Sequence, residues 1–279
     1  MTQFPAIHPI FLAVLLLLGF TAFPAHQELE EGLIAHYTFN HCDARDDTGN
    51  GSDGALYGEP GCACGVEDDA IWLDGVDDFI EFPGRVNRCF NTTDFTVSFY
   101  FKPAKYSVFQ QSLLAKRAEC DTYNMLDLQL DLTRREVNTA VYESPEVYFK
   151  DISPELPATD WMHYALVRRG THAYTYINGQ PRREGRRCSG VDIDNEAVLS
   201  FANSPCTSSG RSVRFKGALD ELRVYDRALS DTEILALYNL YPVELAEKDC
   251  VSQIIDLPGE RGAFALCLGA DGSKLAGLF

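Results

Sequence analysis

Three stretches of the chain alternate apolar and polar side chains with a period of two, which fits a pleated strand and no helix. "DFTVSFYFK" sets Phe95, Val97, Phe99 and Phe101 against Thr96, Ser98 and Tyr100. "MLDLQLDL" sets Leu126, Leu128, Leu130 and Leu132 against Asp127, Gln129 and Asp131, and "LIAHYTF" puts Leu33, Ala35, Tyr37 and Phe39 on one side. These read as half-buried strands. "MHYALVRRGTHAYTYINGQ" adds two more, and its Asn178-Gly179 pair supplies the positive φ angles of a tight hairpin turn. One helix stands out: Ser230 with Glu233 forms a capping box ahead of "ILALY", which ends before Pro242. The expected fold is all-β, an antiparallel sandwich with one short C-terminal helix.

Asp220 breaks the pattern. In an unbroken strand it shares a face with Ala218, Leu222 and Val224, whereas Leu219, Glu221 and Arg223 face the other way. A carboxylate on the apolar side loses its hydration unless a cation or a set of hydrogen-bond donors replaces the water.

At 279 residues the chain can bury a full core in one main domain. Its formal charge of -17, from 24 basic and 41 acidic side chains, repels phosphate and excludes a nucleic-acid or anionic-membrane partner. The first 25 residues hold an apolar run from Ile10 to Phe20, shorter than a membrane span, and read as a signal peptide. The mature chain is then expected to be secreted or at the cell surface, without a membrane span. Nine cysteines fit an oxidising compartment, and "CAC" at Cys62 to Cys64 lacks the spacing of a zinc or redox motif. Three disulfide neighbourhoods are expected: Cys42 with Cys62 or Cys64, Cys188 with Cys206, and Cys250 with Cys267. The odd count leaves one thiol unpaired or intermolecular.

The order "GLIAHYTFN…DDTGNGSDGALYG…LDGVDDFIEFP…DFTVSFYFKP…WMHYALVRRGTHAYTYINGQ…FKGALDELRVYDRALSDTEILALY" resembles the laminin G-like jelly roll domains of the concanavalin A-like lectin and glucanase superfamily, particularly secreted bacterial members. The resemblance covers about residues 31 to 241. It implies two curved antiparallel sheets stacked face to face, with the domain's first and last strands paired. Such domains often carry a structural calcium, and the resemblance brings Asp220 to the loop "NHCDARDDTGNGSDG". Asn40, Asp43, Asp46 and Asp47 there, with Asp220, form the expected calcium set of hard oxygen ligands. Hydrogen bonds from loop amides to Asp220 are the alternative. A second acidic loop, "DGVDD" with Asp74, Asp77 and Asp78, reads as a solvated turn. Residues 242–279, with two cysteines, read as an appendage or linker stub outside the jelly roll.

Catalytic signatures are missing. Laminarinase-type relatives carry an ExDxxE strand whose carboxylates stand about 5 to 5.5 Å apart. The nearest pair here, Asp127 and Asp131, would lie roughly 13 Å apart along one strand and read as surface residues. No GxSxG occurs, and His163 and His172 fall inside strands. For binding, Tyr142 and Tyr148 in an aromatic-rich stretch can stack on sugar rings, and Arg186 and Arg187, in the basic island "RREGRRC", can clamp an acidic glycan. The function expected is a secreted, non-catalytic, adhesive module that binds a glycan or an extracellular protein, with calcium as structural cofactor. A glycan-active hydrolase or lyase, or a purely structural spacer, is the alternative.

Overall fold

The computed structural model describes residues 29–104, 107–153, 156, 161–184 and 192–243. The signal peptide at 1–25, Arg186 and Arg187, Cys188, Cys250 and Cys267, and all but the first two residues of the C-terminal appendage lie outside them. The strands are β1 (Leu33–Tyr37), β2 (Ala55–Tyr57), β3 (Gly61–Cys64), β4 (Asp69–Asp74), β5 (Phe79–Phe82), β6 (Phe95–Pro103), β7 (Gln111–Lys116) and β8 (Met125–Asp131). There follow β9 (Glu136–Tyr142), β10 (Tyr148–Ile152), β11 (Met162–Arg169), β12 (His172–Ile177), β13 (Gln180–Glu184), β14 (Leu199–Phe201), β15 (Val213–Arg214) and β16 (Lys216–Tyr225). Two α-helices, α1 (Pro205–Ser208) and α2 (Asp231–Tyr238), and two short 3-10 helices, Asn40–Cys42 and Arg85–Cys89, accompany them.

The strands form two stacked sheets. Sheet A runs β13-β12-β11-β6-β16-β4-β3, with β1 also on β16; sheet B runs β10-β9-β8-β7-β14-β5-β2, with the short β15 parallel to β7. The alternating stretches behave as expected: Phe95, Val97, Phe99 and Phe101 from sheet A meet Leu126, Leu128 and Leu130 from sheet B in one apolar core. Asn178 and Gly179 take φ 50 and 71, the paired left-handed conformation of a tight hairpin turn, and the Ser230–Glu233 capping box is formed. In β1 the alternation slips. A register shift between Leu33 and Ala35 turns Leu33 toward the packing under α2, whereas Ala35 and Tyr37 enter the core.

The pairing of first and last strands is present, with Tyr37 opposite Leu222 and His36 opposite Arg223. The face predicted for Asp220 is not. Glu221 sits at φ 52, and the register of β16 on β6 gains one residue between Asp220 and Arg223, the signature of a β-bulge. Leu219, Leu222 and Val224 therefore share the core, and Asp220 points to the outer face of sheet A, where it is fully buried. Helix α2 closes much of that face. Leu229, Ile234 and Leu237 pack on Ala165, Val167, Tyr176 and Tyr225. His163 lies under the same cover, its Nε2 2.7 Å from Ser98 Oγ, and burial with Arg223 nearby pushes its pKa down to about 3. It is neutral at physiological pH, a packing residue.

The cysteines agree with the expectation once and depart from it once. Cys42 bonds Cys62, the first of the two alternatives. Cys206 bonds Cys120, not Cys188, because the chain after β7 folds back over sheet B and meets α1. Cys89 is a buried free thiol whose S–H donates to the Val86 carbonyl, and burial pushes its pKa up to about 12. Loop-closure entropy ranks the two bridges. A separation of 86 residues at Cys120–Cys206 implies about 4.6 kcal/mol, against about 3.3 kcal/mol for the separation of 20 at Cys42–Cys62. Replacing Cys120 and Cys206 by Ser is expected to lower the midpoint of chemical denaturation more than replacing Cys42 and Cys62. The reverse order in urea titrations would show that strain or residual structure outweighs loop closure.

Candidate ligand-binding face

With α2 over sheet A, the outer face of sheet B is the broad surface left for a ligand. The residues in register across it form an unbroken row from Lys150 on β10, through Asp127 on β8 and Ser200 on β14, to Ala55 on β2. Strand alternation explains its chemistry, since each residue between two core Leu, Val or Phe side chains turns outward.

Tyr142 and Tyr148 come together on this face. They sit opposite each other on β9 and β10, with rings stacked at 4.6 Å between centroids and 8° between planes. Met125, opposite Tyr142 on the other side, supports the pair from β8. Because β10 is the sheet's last strand, Tyr148 has one ring face covered by Tyr142 and no strand against the other. Lys150 is exposed beside it. The geometry is that of a preset aromatic platform, which a sugar ring can use without ordering the tyrosines first.

Asp127 is in the same face but not on the surface, which corrects the expectation for the Asp127 and Asp131 pair. Only 4% exposed, Asp127 forms an ion pair with Arg117 and accepts a hydrogen bond at Oδ2 from Gln129 Nε2 at 2.9 Å. Arg117 also donates to the carbonyls of Glu119 and Asp121 and so holds the 117–124 loop over the sheet. The Cys120–Cys206 bridge ties this loop to α1, making a ridge across the middle of the face. Burial, against the pull of Arg117, raises the Asp127 pKa to about 6. Asp131 accepts instead from the Arg134 amide at 3.0 Å in the following turn. The two carboxylates do not face a shared cleft.

The expected calcium set is dispersed. Asn40 accepts from the Asp69 amide, and Asp43 accepts from the Arg45 amide. Asp46 takes donors from His36, Thr48 and Ser52, and Asp47 from Thr38 and Arg45. No three carboxylates of this set have ligand atoms within 4.8 Å of one another; among the described residues only Asp74, Asp77 and Asp78 do. Asp220 meets another loop: its Oδ2 accepts from the amides of Val66 at 2.7 Å and Glu67 at 3.4 Å, and its buried Oδ1 has no partner. A Cβ built on Gly65 would meet Asp220 Oδ2, with the carbonyl oxygens of Glu67 at 2.8 Å and Asp69 at 2.9 Å. Three oxygens thus converge on one small cradle. Sequence reasoning missed Gly65 to Asp69 because backbone carbonyls carry no residue signature.

A second feature lies on the sheet A side. Trp161, Tyr241, Lys102, Val66 and Leu240 line a cleft of about 450 Å³ beside α2. The Tyr241 hydroxyl is already committed to Glu67, which leaves Lys102 as the charged group of its lining.

Against known proteins, the laminin G-type family model of the concanavalin A-like lectin/glucanases superfamily matches residues 74–235. The chain belongs to that superfamily. A search of curated sequences found no match. Among solved structures, this superfamily member is similar to domain 4 of AbnA, a GH43 extracellular arabinanase from Geobacillus stearothermophilus in complex with arabinotriose. The identity is 22%, with 74% of this chain and 98% of that one covered and a TM-score of 0.59. It is also similar to the binding domain of Paraclostridial Mosquitocidal Protein 1, at 16% identity, 76% and 53% coverage and a TM-score of 0.62. A third is a botulinum neurotoxin type C structure whose description concerns cell entry through two ganglioside molecules, at 9% identity, 77% and 53% coverage and a TM-score of 0.61. The chain spans about half the length of the toxin domains. These likenesses establish the jelly roll fold.

The Asp127 pair yields a test. Removing one partner of a buried ion pair leaves the other charge uncompensated and costs about 3–5 kcal/mol. Asp127→Ala is expected to lose that much in urea unfolding, with Asp131→Asn within about 0.5 kcal/mol of wild type. Equal, small effects would place Asp127 on the surface after all.

Proposed function

We propose that the protein is a non-catalytic glycan-binding module of the cell exterior, adhesive in role, that takes sugar on the outer face of sheet B at Tyr142 and Tyr148. The observation that carries this reading is the stacked tyrosine pair at the sheet edge. The similarity to an arabinanase domain holding arabinotriose, and to toxin binding domains described with gangliosides, supports the ligand class. Two disulfides suit an extracellular setting. The carboxylates of the catalytic alternative share no cleft: Asp127 is tied to Arg117, and Asp131 caps a turn. A botulinum neurotoxin binding domain in complex with rat synaptotagmin II is also among the similar structures, so a protein partner is the second reading.

Calcium belongs to this reading as a structural ion. The donor set proposed for it is Asp220, whose buried Oδ1 has no hydrogen-bond partner, with the carbonyls of Glu67 and Asp69, oxygen ligands of the kind calcium prefers. The ion would neutralise a carboxylate that burial otherwise drives toward its protonated form, up to about 8.

Two outcomes are expected. Tyr148→Ala should weaken binding to a glycan found on an array by tenfold or more, with the melting temperature shifted by no more than a few degrees, because Tyr148 is half-buried on an edge strand. Retained binding would move the site elsewhere, and reducing-sugar release by the wild type from the same polysaccharide would make the protein an enzyme. Thermal scans in calcium and in chelator should differ by several degrees, the stabilisation at a hundredfold excess over Kd being about 2.7 kcal/mol. Coincident wild-type scans would remove calcium from the account.

A further inference from the structure

We infer that sheet B carries a second, separate subsite for an uncharged glycan at its opposite edge, centred on Tyr57. This rests on the glycan-binding reading above and extends it from one platform to two.

The second edge repeats the construction of the first with different residues. Tyr57 on β2 and Phe79 on β5 sit opposite each other and stack at 4.4 Å with 1° between ring planes. The Arg214 guanidinium lies 4.4 Å from the Phe79 centroid, and its NH1 is held by Asn203 Oδ1 at 2.8 Å. Phe79 is therefore clamped between a cation and Tyr57. The Tyr57 hydroxyl donates to Glu81 Oε2 at 3.0 Å, which fixes the ring at its far end. Yet Tyr57 is 41% exposed on the last strand of the sheet. A large aromatic that is stacked, anchored and still open has its ordering cost met within the fold, the condition under which an aromatic contact adds most to binding.

The chemistry around the ring selects the ligand. Glu81 has lone pairs left for hydroxyl donors, and Asp78 packs against Gly58, directly after Tyr57, and accepts from the Glu59 amide. Arg214, the nearby cation, lies over the Phe79 ring, and its charge is opposed by those of Asp74, Asp77 and Asp78. Carboxylates repel a sulfated or uronic sugar and accept hydrogen bonds from a neutral polyol. A protein partner adding a strand is disfavoured by β2 itself, which spans three residues and runs into Gly58, Glu59 and Pro60.

The two platforms share one face but not one groove. Their midpoints are five strand spacings apart across the sheet, about 24 Å at 4.8 Å per strand, and offset by four residues along it, about 13 Å more. Between them stands the ridge made by the 117–124 loop and its Cys120–Cys206 bridge. The sites are therefore independent for a short oligosaccharide and jointly usable by a polysaccharide or a clustered glycan surface, which raises apparent affinity without any new contact.

The test is an amide-resolved NMR titration of the full chain with neutral trisaccharides (arabinotriose, xylotriose, cellotriose, laminaritriose), run beside a sulfated disaccharide and an oligouronate. Two clusters of shifts are expected with a neutral sugar, one at residues 140–150 and one at 55–59 and 79–81. Tyr57→Ala should abolish the second cluster alone and weaken binding to the matching polysaccharide by tenfold or more. Glu81→Gln leaves the ring in place and should weaken the second cluster severalfold, which keeps the test valid if Tyr57→Ala misfolds. Shifts at 140–150 only would overturn the second subsite and leave the module reading standing. Shifts at 55–59 only with the charged sugars would overturn its ligand class. No response to any sugar at either cluster would overturn both.

Discussion

A ten-residue strand buried on both faces must find partners for its charges inside the fold, and β16 does so through one left-handed residue. Glu221 at φ 52 inserts an extra position, so that Leu219 and Leu222 both reach the core although two residues, not one, lie between them. The conformation is uncommon for a residue with a Cβ, and it persists because the carboxylate is held on two sides. Arg223 pairs with it from the same strand, and His36 reaches it from β1 at 2.9 Å. The bulge thus links the last strand to the first. On the same edge of β16, β4 occupies Lys216 to Leu219 and β1 takes over at Leu222, so sheet A is continued there by two strands in tandem.

That closure determines which sheet face stays open. Sheet A is packed inside against the core and outside against α2, and Tyr100 bonds the Tyr238 carbonyl at the helix end. Among the described residues, sheet B has no helix of comparable size across it. Its outer side is divided by a ridge tied with one disulfide, and both of its edge strands end in stacked aromatic pairs. The outward aromatics are affordable in a protein of net charge -17, since charge repulsion between copies opposes the association that exposed rings would otherwise promote.

The sequence was legible wherever side-chain period decides structure. The strands from Phe95 and Met125, the Asn178-Gly179 turn and the Ser230 capping box are local, and each forms as its residues dictate. What escaped was non-local. One of the two groups that hold Glu221 at the bulge is His36, 185 positions away, which nothing near Asp220 announces. The Cys206 partner depended on the path of the chain after β7, which spacing cannot reveal. For the site, Tyr142 and Tyr148 were readable as aromatics, but only the register of β9 on β10 makes them a stack. Tyr57 and Phe79, 22 residues apart, carried no signal apart from being aromatic, because their meeting depends on a hairpin path that passes through the other sheet.

Asp127 shows how strand position can mislead about chemistry. A carboxyl with a pKa near 6, set on the outer face of sheet B, has the acidity of a general acid. Its surroundings oppose that role. Arg117 and Gln129 share one oxygen, and the other, Oδ1, is buried without a partner, shut away from any substrate by the same loop that Arg117 pins. Perturbed acidity here follows from burial under a structural loop, and that loop forms the ridge separating the two tyrosine platforms. The carboxylate therefore acts through position: by fixing Arg117 it fixes the ridge, and by fixing the ridge it keeps the two edges of the sheet as distinct surfaces.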